Sequence, residues 1–250
     1  FLRTEMSRKT EYVHNPCFLS ANILKILGVF AENQKRINKM THIENIKKLF
    51  SKDFVESPLL ESFEVGKIYL SSGKLVACDP LITNDMLPFS TEFPKGDFSV
   101  MLYKERESNC VAYAEIIFSN SEITDWKLAT TAGQNTKELA EGEVFGYPVE
   151  SGMGCFMDVD TQNSLNELEQ KLYQNKGGDF MGIYEEFFHE HFFDEKGAID
   201  QYAFLKPAKE HPGTIFAFET GYGEGFYASY IAYNKDQQPV KIITEFIEIS

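Results

Sequence analysis

Thr220-Gly221-Tyr222-Gly223-Glu224-Gly225-Phe226-Tyr227 sets three glycines at alternate positions around one carboxylate. Glycine at that density permits positive φ or the close approach of another group, while the neighbouring rings anchor the backbone. A second run, Glu150-Ser151-Gly152-Met153-Gly154-Cys155-Phe156-Met157-Asp158, brackets two glycines and a cysteine with two carboxylates. Oxygens from Glu150, Asp158 and Glu224 are of the kind that bind Ca²⁺ or Mg²⁺, which would suit a metal-dependent hydrolase or a small-ligand enzyme. Their spacing matches no EF-hand loop, however, and the expectation is that the chain carries no metal and no cofactor.

Other reactive residue types favour structural roles. Asp79, in Ala77-Cys78-Asp79-Pro80-Leu81, sits at a strand end before a proline, where aspartate closes turns by accepting backbone N–H bonds. A nucleophilic Cys155 would need His189, His191 or His211 as its base, but a cysteine among small residues is usually a packed thiol. On a helix His189 and His191 point about 200° apart and could not share an ion. Glu185 and His189, four residues apart, read as a solvated helix pair. No nucleophile elbow, HExxH, Walker loop or dinucleotide fingerprint occurs in the right context.

The elements that must position these residues are mostly strands. Lys67–Leu70 and Lys74–Ala77 flank Ser71-Ser72-Gly73, which reads as a short hairpin. Phe98–Tyr103 and Val111–Phe118 make a second pair around the charged turn Lys104–Asn109, and Ile123–Leu128 carries the only tryptophan. Gly146–Asp158 is extended. Leu165, Leu168, Leu172 and Tyr173 then have helical spacing, with an N-cap expected at Asp160-Thr161. Tyr184–Phe193 reads either as a helix or as a buried aromatic segment. Strands return at Thr214–Glu219, Phe226–Tyr233 and Val240–Phe246, the last two joined by the turn Asn234–Pro239. With no internal repeat and no alternating strand–helix rhythm, the fold class is α+β, a mainly antiparallel sandwich or strongly bent sheet with a few helices. The glycine run then reads as a hairpin turn tied down by Glu224.

Length and charge bound the function. The 250 residues suffice for one large domain, and no apolar run reaches the roughly 18 residues of a membrane span. Phe18–Phe30 makes a poor signal-peptide core without a clean cleavage site, and Cys17, Cys78, Cys110 and Cys155 have neither zinc nor disulfide-framework spacing. Free thiols in a cytoplasmic protein are expected. Net charge is −14, unevenly spread. Residues 1–39 carry seven basic and three acidic groups and read as a basic, partly helical extension, with residues 40–250 as the globular domain at −18. Thr41-His42-Ile43-Glu44 matches a capping box, and Met40 is read as a boundary or natural start. An acidic body of this kind repels phosphate backbones and suits a basic protein partner; neither nucleic acid nor membrane is expected.

The ordered motifs resemble a bacterial family, Domain of Unknown Function 4241. Its opening signature resembles Leu70-Ser71-Ser72-Gly73-Lys74-Leu75-Val76-Ala77-Cys78-Asp79-Pro80-Leu81, and Pro88-Phe89, Phe93-Pro94-Lys95-Gly96, Trp126-Lys127-Leu128-Ala129 and Glu150–Asp158 follow in its order. Its closing serine-glycine-tryptophan-glycine-aspartate-glycine-x-tyrosine run resembles Thr220–Tyr227, with Glu245-Phe246 as the acidic-aromatic strand after it. The resemblance spans about residues 64–249. Here Glu150 and Glu224 stand where the family has aspartate, Tyr222 replaces the tryptophan and Thr220 the serine. Carboxylates that tolerate an added methylene fit backbone-holding or loose cation binding better than catalysis, which needs placement within about 0.5 Å. The resemblance implies an architecture and a shortlist of Asp79, Glu150, Gly152, Asp158, Gly221, Gly223, Glu224, Gly225 and Tyr227, and no reaction. A non-catalytic binding domain, of immunity type in one version, is the favoured expectation.

Overall fold

Strand side chains point alternately to opposite faces, so a strand apolar on both faces must be covered on both. That condition governs this chain. The computed structural model describes residues 42–51, 57–140 and 142–249. Its elements are α1 (His42–Phe50), β1 (Leu60–Leu70), β2 (Leu75–Cys78), β3 (Gly96–Glu105), β4 (Val111–Ile117), β5 (Asp125–Leu128), β6 (Tyr147–Val149), β7 (Met153–Asp158), α2 (Val159–Lys176), α3 (His189–Phe192), β8 (Phe193–Asp194), β9 (Gly197–Ala198), β10 (Tyr202–Leu205), β11 (Ile215–Glu219), β12 (Gly225–Tyr233) and β13 (Pro239–Glu245). The larger sheet runs β1-β3-β4-β13-β12-β5, with β6 on the start of β12, and the smaller runs β10-β11-β7-β2. Every pairing in both is antiparallel. The expected α+β, mainly antiparallel class is the fold observed, and of the two arrangements left open by the sequence, sandwich or strongly bent sheet, it is two packed sheets.

The sheets meet across a shared core. Ile68, Val100, Ile116 and Ile242 from the larger sheet face Leu75, Phe156, Phe216 and Phe218 from the smaller. Much of the chain's phenylalanine is used here, with Phe156–Phe218 and Phe216–Phe218 ring centroids 5.5 and 4.9 Å apart. The alternate residues of the smaller sheet, among them Val76, Cys78, Cys155 and Met157, pack outward against Leu165 of α2 and against Ile183, Phe188 and Phe192. On the far side Tyr103, Tyr113, Tyr230 and Ile243 of the larger sheet receive Ile46 and Phe50 of α1, the Phe50 ring edge-on to both Tyr103 and Tyr113. The order of layers is therefore helix, sheet, sheet, helix.

The α1-side face of the larger sheet holds a buried ion pair. Lys241 Nζ lies 2.7 Å from Glu115 Oε1, and Tyr103 donates its hydroxyl to Glu115 Oε2. Burial and the adjacent carboxylate push the Tyr103 hydroxyl far above its ordinary pKa. Removing either charge would leave the other buried and unpaired, which is the costly event at such sites.

Two expected hairpins form, β3–β4 and β12–β13. Two others do not. Lys67–Leu70 and Lys74–Ala77 belong to different sheets, β1 pairing with β3 and β2 with β7, so Ser71-Ser72-Gly73 carries the chain across the sandwich. Likewise β11 and β12 lie in different sheets, and the glycine run between them is a crossing. Local turn signals alone cannot distinguish a hairpin from a crossing, since both need a tight reversal. Gly73 has φ +78°, and a Cβ there would stand 2.4 Å from the Phe93 carbonyl oxygen. Asp158, rather than Asp160 or Thr161, caps α2, accepting the Asp160 N–H. Tyr184–Phe188 forms a π-turn continuous with α3, and the exposed His189 ring stacks on Phe193 with centroids 5.6 Å apart. The proposed extension, the Met40 boundary and Thr41 of the capping box lie outside the described residues. Cys78 and Cys155 are free and buried, whereas Cys110 is disulfide-bonded, a departure from free thiols throughout. No described helix is long and apolar enough to cross a membrane.

Candidate functional site

Antiparallel alignment of the strands brings sequence-distant turns to the same end of the sandwich. The ends of β2, β3, β6 and β11 and the starts of β4, β7, β10 and β12 all gather there. Hydrogen bonds lace the turns together. Thr220 N–H donates to Gly152 O and Gly221 N–H to Val111 O, both at 3.0 Å. Gln201 Nε2 donates to Asn109 O at 3.1 Å and to Glu219 Oε2 at 3.0 Å, and Tyr222 donates its hydroxyl to Glu105 Oε2 at 3.0 Å. Gly225 pairs with Val149 and Tyr227 with Tyr147. The Thr220–Tyr227 run thus lies directly against the Glu150–Gly152 turn.

Asp79 supports this end from beneath. It is 1% exposed; its Oδ2 accepts the N–H groups of Glu150 and Ser151 at 3.0 and 2.8 Å, and its Oδ1 accepts that of Leu81 at 2.9 Å. A carboxylate so engaged positions a turn and has little capacity left for a substrate or an ion. Within the crossing, Gly223 takes φ +105°, and its carbonyl accepts hydroxyl bonds from Thr220 and Tyr227, each at 2.8 Å. The tie expected of Glu224 is made instead by Thr220 and Tyr227, and Glu224 itself is exposed. Burial pushes the Tyr227 hydroxyl up to about 12.

What remains at the surface is acidic and aromatic. Glu107, Glu150 and Glu224 are exposed, and Glu105 and Glu219 are half-buried. Among them stand Tyr222 and Phe226, 39% and 57% exposed. The register that pairs Gly225 with Val149 carries Glu224 and Glu150 to the next position on their two segments. Among the described residues neither forms an ion pair, and Arg106 nearby is engaged with Glu61 at 3.6 Å. Like charges opposite one another across antiparallel chains are destabilising, so this arrangement works against folding in the free protein. Burial, then the Glu105 charge, raise the Tyr222 hydroxyl, placing that ring inside the acidic field.

Asp158 is elsewhere. It ends β7, about 17 Å along the extended strand from Met153, with Leu75 opposite it. Its oxygens accept Ser72 N–H at 2.9 Å, Gly73 N–H at 3.2 Å, Asp160 N–H at 3.0 Å and the Ser71 and Ser72 hydroxyls at 3.2 and 2.8 Å. Ligand oxygens must lie about 2.3–2.6 Å from Ca²⁺, so Asp158 cannot share an ion with Glu150 and Glu224. Among the described residues no group of three His, Cys, Asp or Glu side chains is placed to hold a metal. Nor is a base placed on Cys155 by hydrogen bonding: His211 Nδ1 accepts the Gly213 N–H at 3.1 Å, and the sulfur next to Cys155 is that of Cys78.

The structure therefore gathers Asp79, Glu150, Gly152, Gly221, Gly223, Glu224, Gly225 and Tyr227 at one end and leaves Asp158 at the other. Sequence reasoning missed Tyr222, Phe226, Glu105 and Glu107 as members of the surface. The charged turn Lys104–Asn109 was the available signal for the last two. No curated protein and no solved structure matches the chain. A family described as Protein of unknown function (DUF4241) matches residues 68–244, with both signature runs of the two ends inside that span, and the chain belongs to that family.

Proposed function

We propose that the chain is a non-catalytic binding module whose acidic, aromatic end receives a basic segment of a protein partner. The observation that carries this reading is the set of exposed carboxylates Glu107, Glu150 and Glu224, in no ion pair among the described residues, around the exposed rings of Tyr222 and Phe226. Electrostatic complementarity selects a cationic partner and speeds its association, and exposed aromatics are the residue types that anchor interfaces. Arginine on the partner would gain both a carboxylate and a ring face. The hydrolase alternative, which would draw on Asp79, Glu150, Asp158 and Glu224, finds less support, because Asp79 and Asp158 are occupied by backbone N–H groups and Asp158 lies at the other end from Glu150 and Glu224. In its immunity form, the reading makes the partner a basic toxin encoded beside this chain in a bacterial genome.

Affinity capture at low ionic strength tests the proposal, comparing the wild-type chain with a Glu150→Lys/Glu224→Lys variant. Basic proteins retained by the wild type, released by salt and lost from the variant are the expected result. Retention of the same proteins by both chains, or of none that is basic, would sink it.

A further inference from the structure

Cys78 and Cys155 pack beneath α2 and take no part in the acidic, aromatic end. The two residues face each other directly across the β2–β7 ladder, both are fully buried, and both are free. Their sulfurs are 3.6 Å apart, and Cys155 Sγ also lies 3.3 Å from the Cys78 carbonyl oxygen. Directly opposed residues in an antiparallel pair have Cα atoms about 4.5 or 5.5 Å apart, inside the range of about 4.4–6.8 Å that a disulfide spans. Closing the sulfurs to bonding distance therefore asks for side-chain rotation and no shift of register.

We propose that Cys78 and Cys155 are a cross-strand disulfide site, bridged when the chain folds in the presence of a disulfide oxidant. One thiolate attacks oxidised glutathione, giving a mixed disulfide and one glutathione thiolate. The second protein thiolate attacks the protein sulfur of that mixed disulfide and expels the other glutathione. The protein loses two protons and two electrons, and the oxidant is reduced to two glutathione thiols. Folding is the time for this exchange. In the finished structure α2 and the 183–192 segment cover the sulfurs, and burial raises the Cys155 thiol well above its ordinary pKa, which leaves little thiolate to react. The bridge would tie residues 77 apart in sequence, a long loop for which chain-entropy stabilisation is large. It also has a local consequence. Asp79 follows Cys78 directly, so the bridge would fix the strand end from which Asp79 supports the Glu150–Ser151 turn.

The test refolds the reduced 250-residue chain from urea with oxidised and reduced glutathione, or with reduced glutathione alone. Remaining thiols are alkylated and peptides mapped by mass spectrometry without reduction. The expected result is a linked Cys78–Cys155 peptide after oxidative refolding only, sharply depleted when urea is kept in. A rise of several degrees in the thermal midpoint should accompany it, the part due to this pair being lost in a Cys78→Ser variant. Alkylation of both residues after either protocol, linkage of either to Cys17 or Cys110, or equal linkage in urea would overturn the proposal. The wild-type peptide map decides the question even where the variant folds poorly.

Discussion

The two ends of the sandwich use one device for different purposes. At each, a buried aspartate accepts backbone N–H groups from a tight turn: Asp158 from Ser72 and Gly73, Asp79 from Glu150 and Ser151. Above Asp158 the turn is closed by the hydroxyls of Ser71 and Ser72, which bond inward to the same carboxylate. Above Asp79 the surface is Glu150, Glu224, Tyr222 and Phe226, and its carboxylates point outward. One end has spent its polar groups on folding; the other holds groups in reserve. The difference separates carboxylates that hold the fold from carboxylates that the fold leaves exposed, although all of them look alike in a list of acidic residues.

Asp158→Ala should have the largest effect. It removes the cap of α2 and leaves the Ser72 and Gly73 N–H groups unpaired in a closed turn, at a cost of about 3–5 kcal/mol. Urea unfolding would show it as a large fall in midpoint with the slope unchanged. Asp79→Ala should cost somewhat less, about 2–3 kcal/mol, because the Glu150 and Ser151 groups it leaves lie nearer to solvent. An Asp79→Ala cost below about 0.5 kcal/mol would break the comparison, since ordinary surface changes already reach that size.

Tyr227→Phe is the next step down. It removes one of the two hydroxyls on the Gly223 carbonyl and leaves the Thr220 bond, so the expected loss is about 1 kcal/mol. The same hydroxyl sets a pH dependence. Its pKa in the folded chain is about 12, above the roughly 10 of an unfolded tyrosine, so the folded state keeps its proton longer. Its stabilisation is fully present below about pH 10 and is lost as pH rises toward 12. Buried Tyr103, Tyr113 and Tyr230 are shifted in the same direction and should steepen the alkaline loss. Stability measured by denaturant from pH 8 to 11 should fall most at the top of that range, and less steeply in Tyr227→Phe.

Strand period and turn residues made most of the sheet elements legible, because alternation and glycine or proline at reversals are local facts. The partners of those strands were not local. Lys67–Leu70 and Lys74–Ala77 looked like a hairpin because three turn residues separate them, yet β1 pairs with β3 and β2 with β7. What selects the crossing is Asp158, more than eighty residues downstream, and nothing in the turn announces it. The same limit applied to the candidate site. Asp79, the Glu150 turn and the glycine run could be shortlisted from residue type, and their convergence follows from strand order. Asp158 belonged to the same motif as Glu150 but is carried away by the length of β7. Rings beside glycines suggest anchors for the backbone, yet Tyr222 and Phe226 are both exposed.

The smallest expected effect on folding is the sharpest test of the outward-facing end. Glu150→Gln and Glu224→Gln keep size and remove charge, and neither residue is engaged in an ion pair among the described residues. If the two carboxylates serve the fold, neutralising both should destabilise it. If they oppose one another across the β6–β12 register, neutralising both should raise stability by a few tenths of a kcal/mol, the size of a like-charge cross-strand pair. The gain should shrink as salt is added, because exposed charges are screened beyond about 10 Å at 0.1 M. Asp158→Asn and Asp79→Asn, measured alongside, should lose stability at every salt concentration, since each trades an accepting oxygen for a donor facing backbone N–H groups. Opposite signs from chemically identical carboxylate-to-amide changes would show that the two carboxylate sets do different work; a stability loss in the double glutamine variant would return Glu150 and Glu224 to the scaffold.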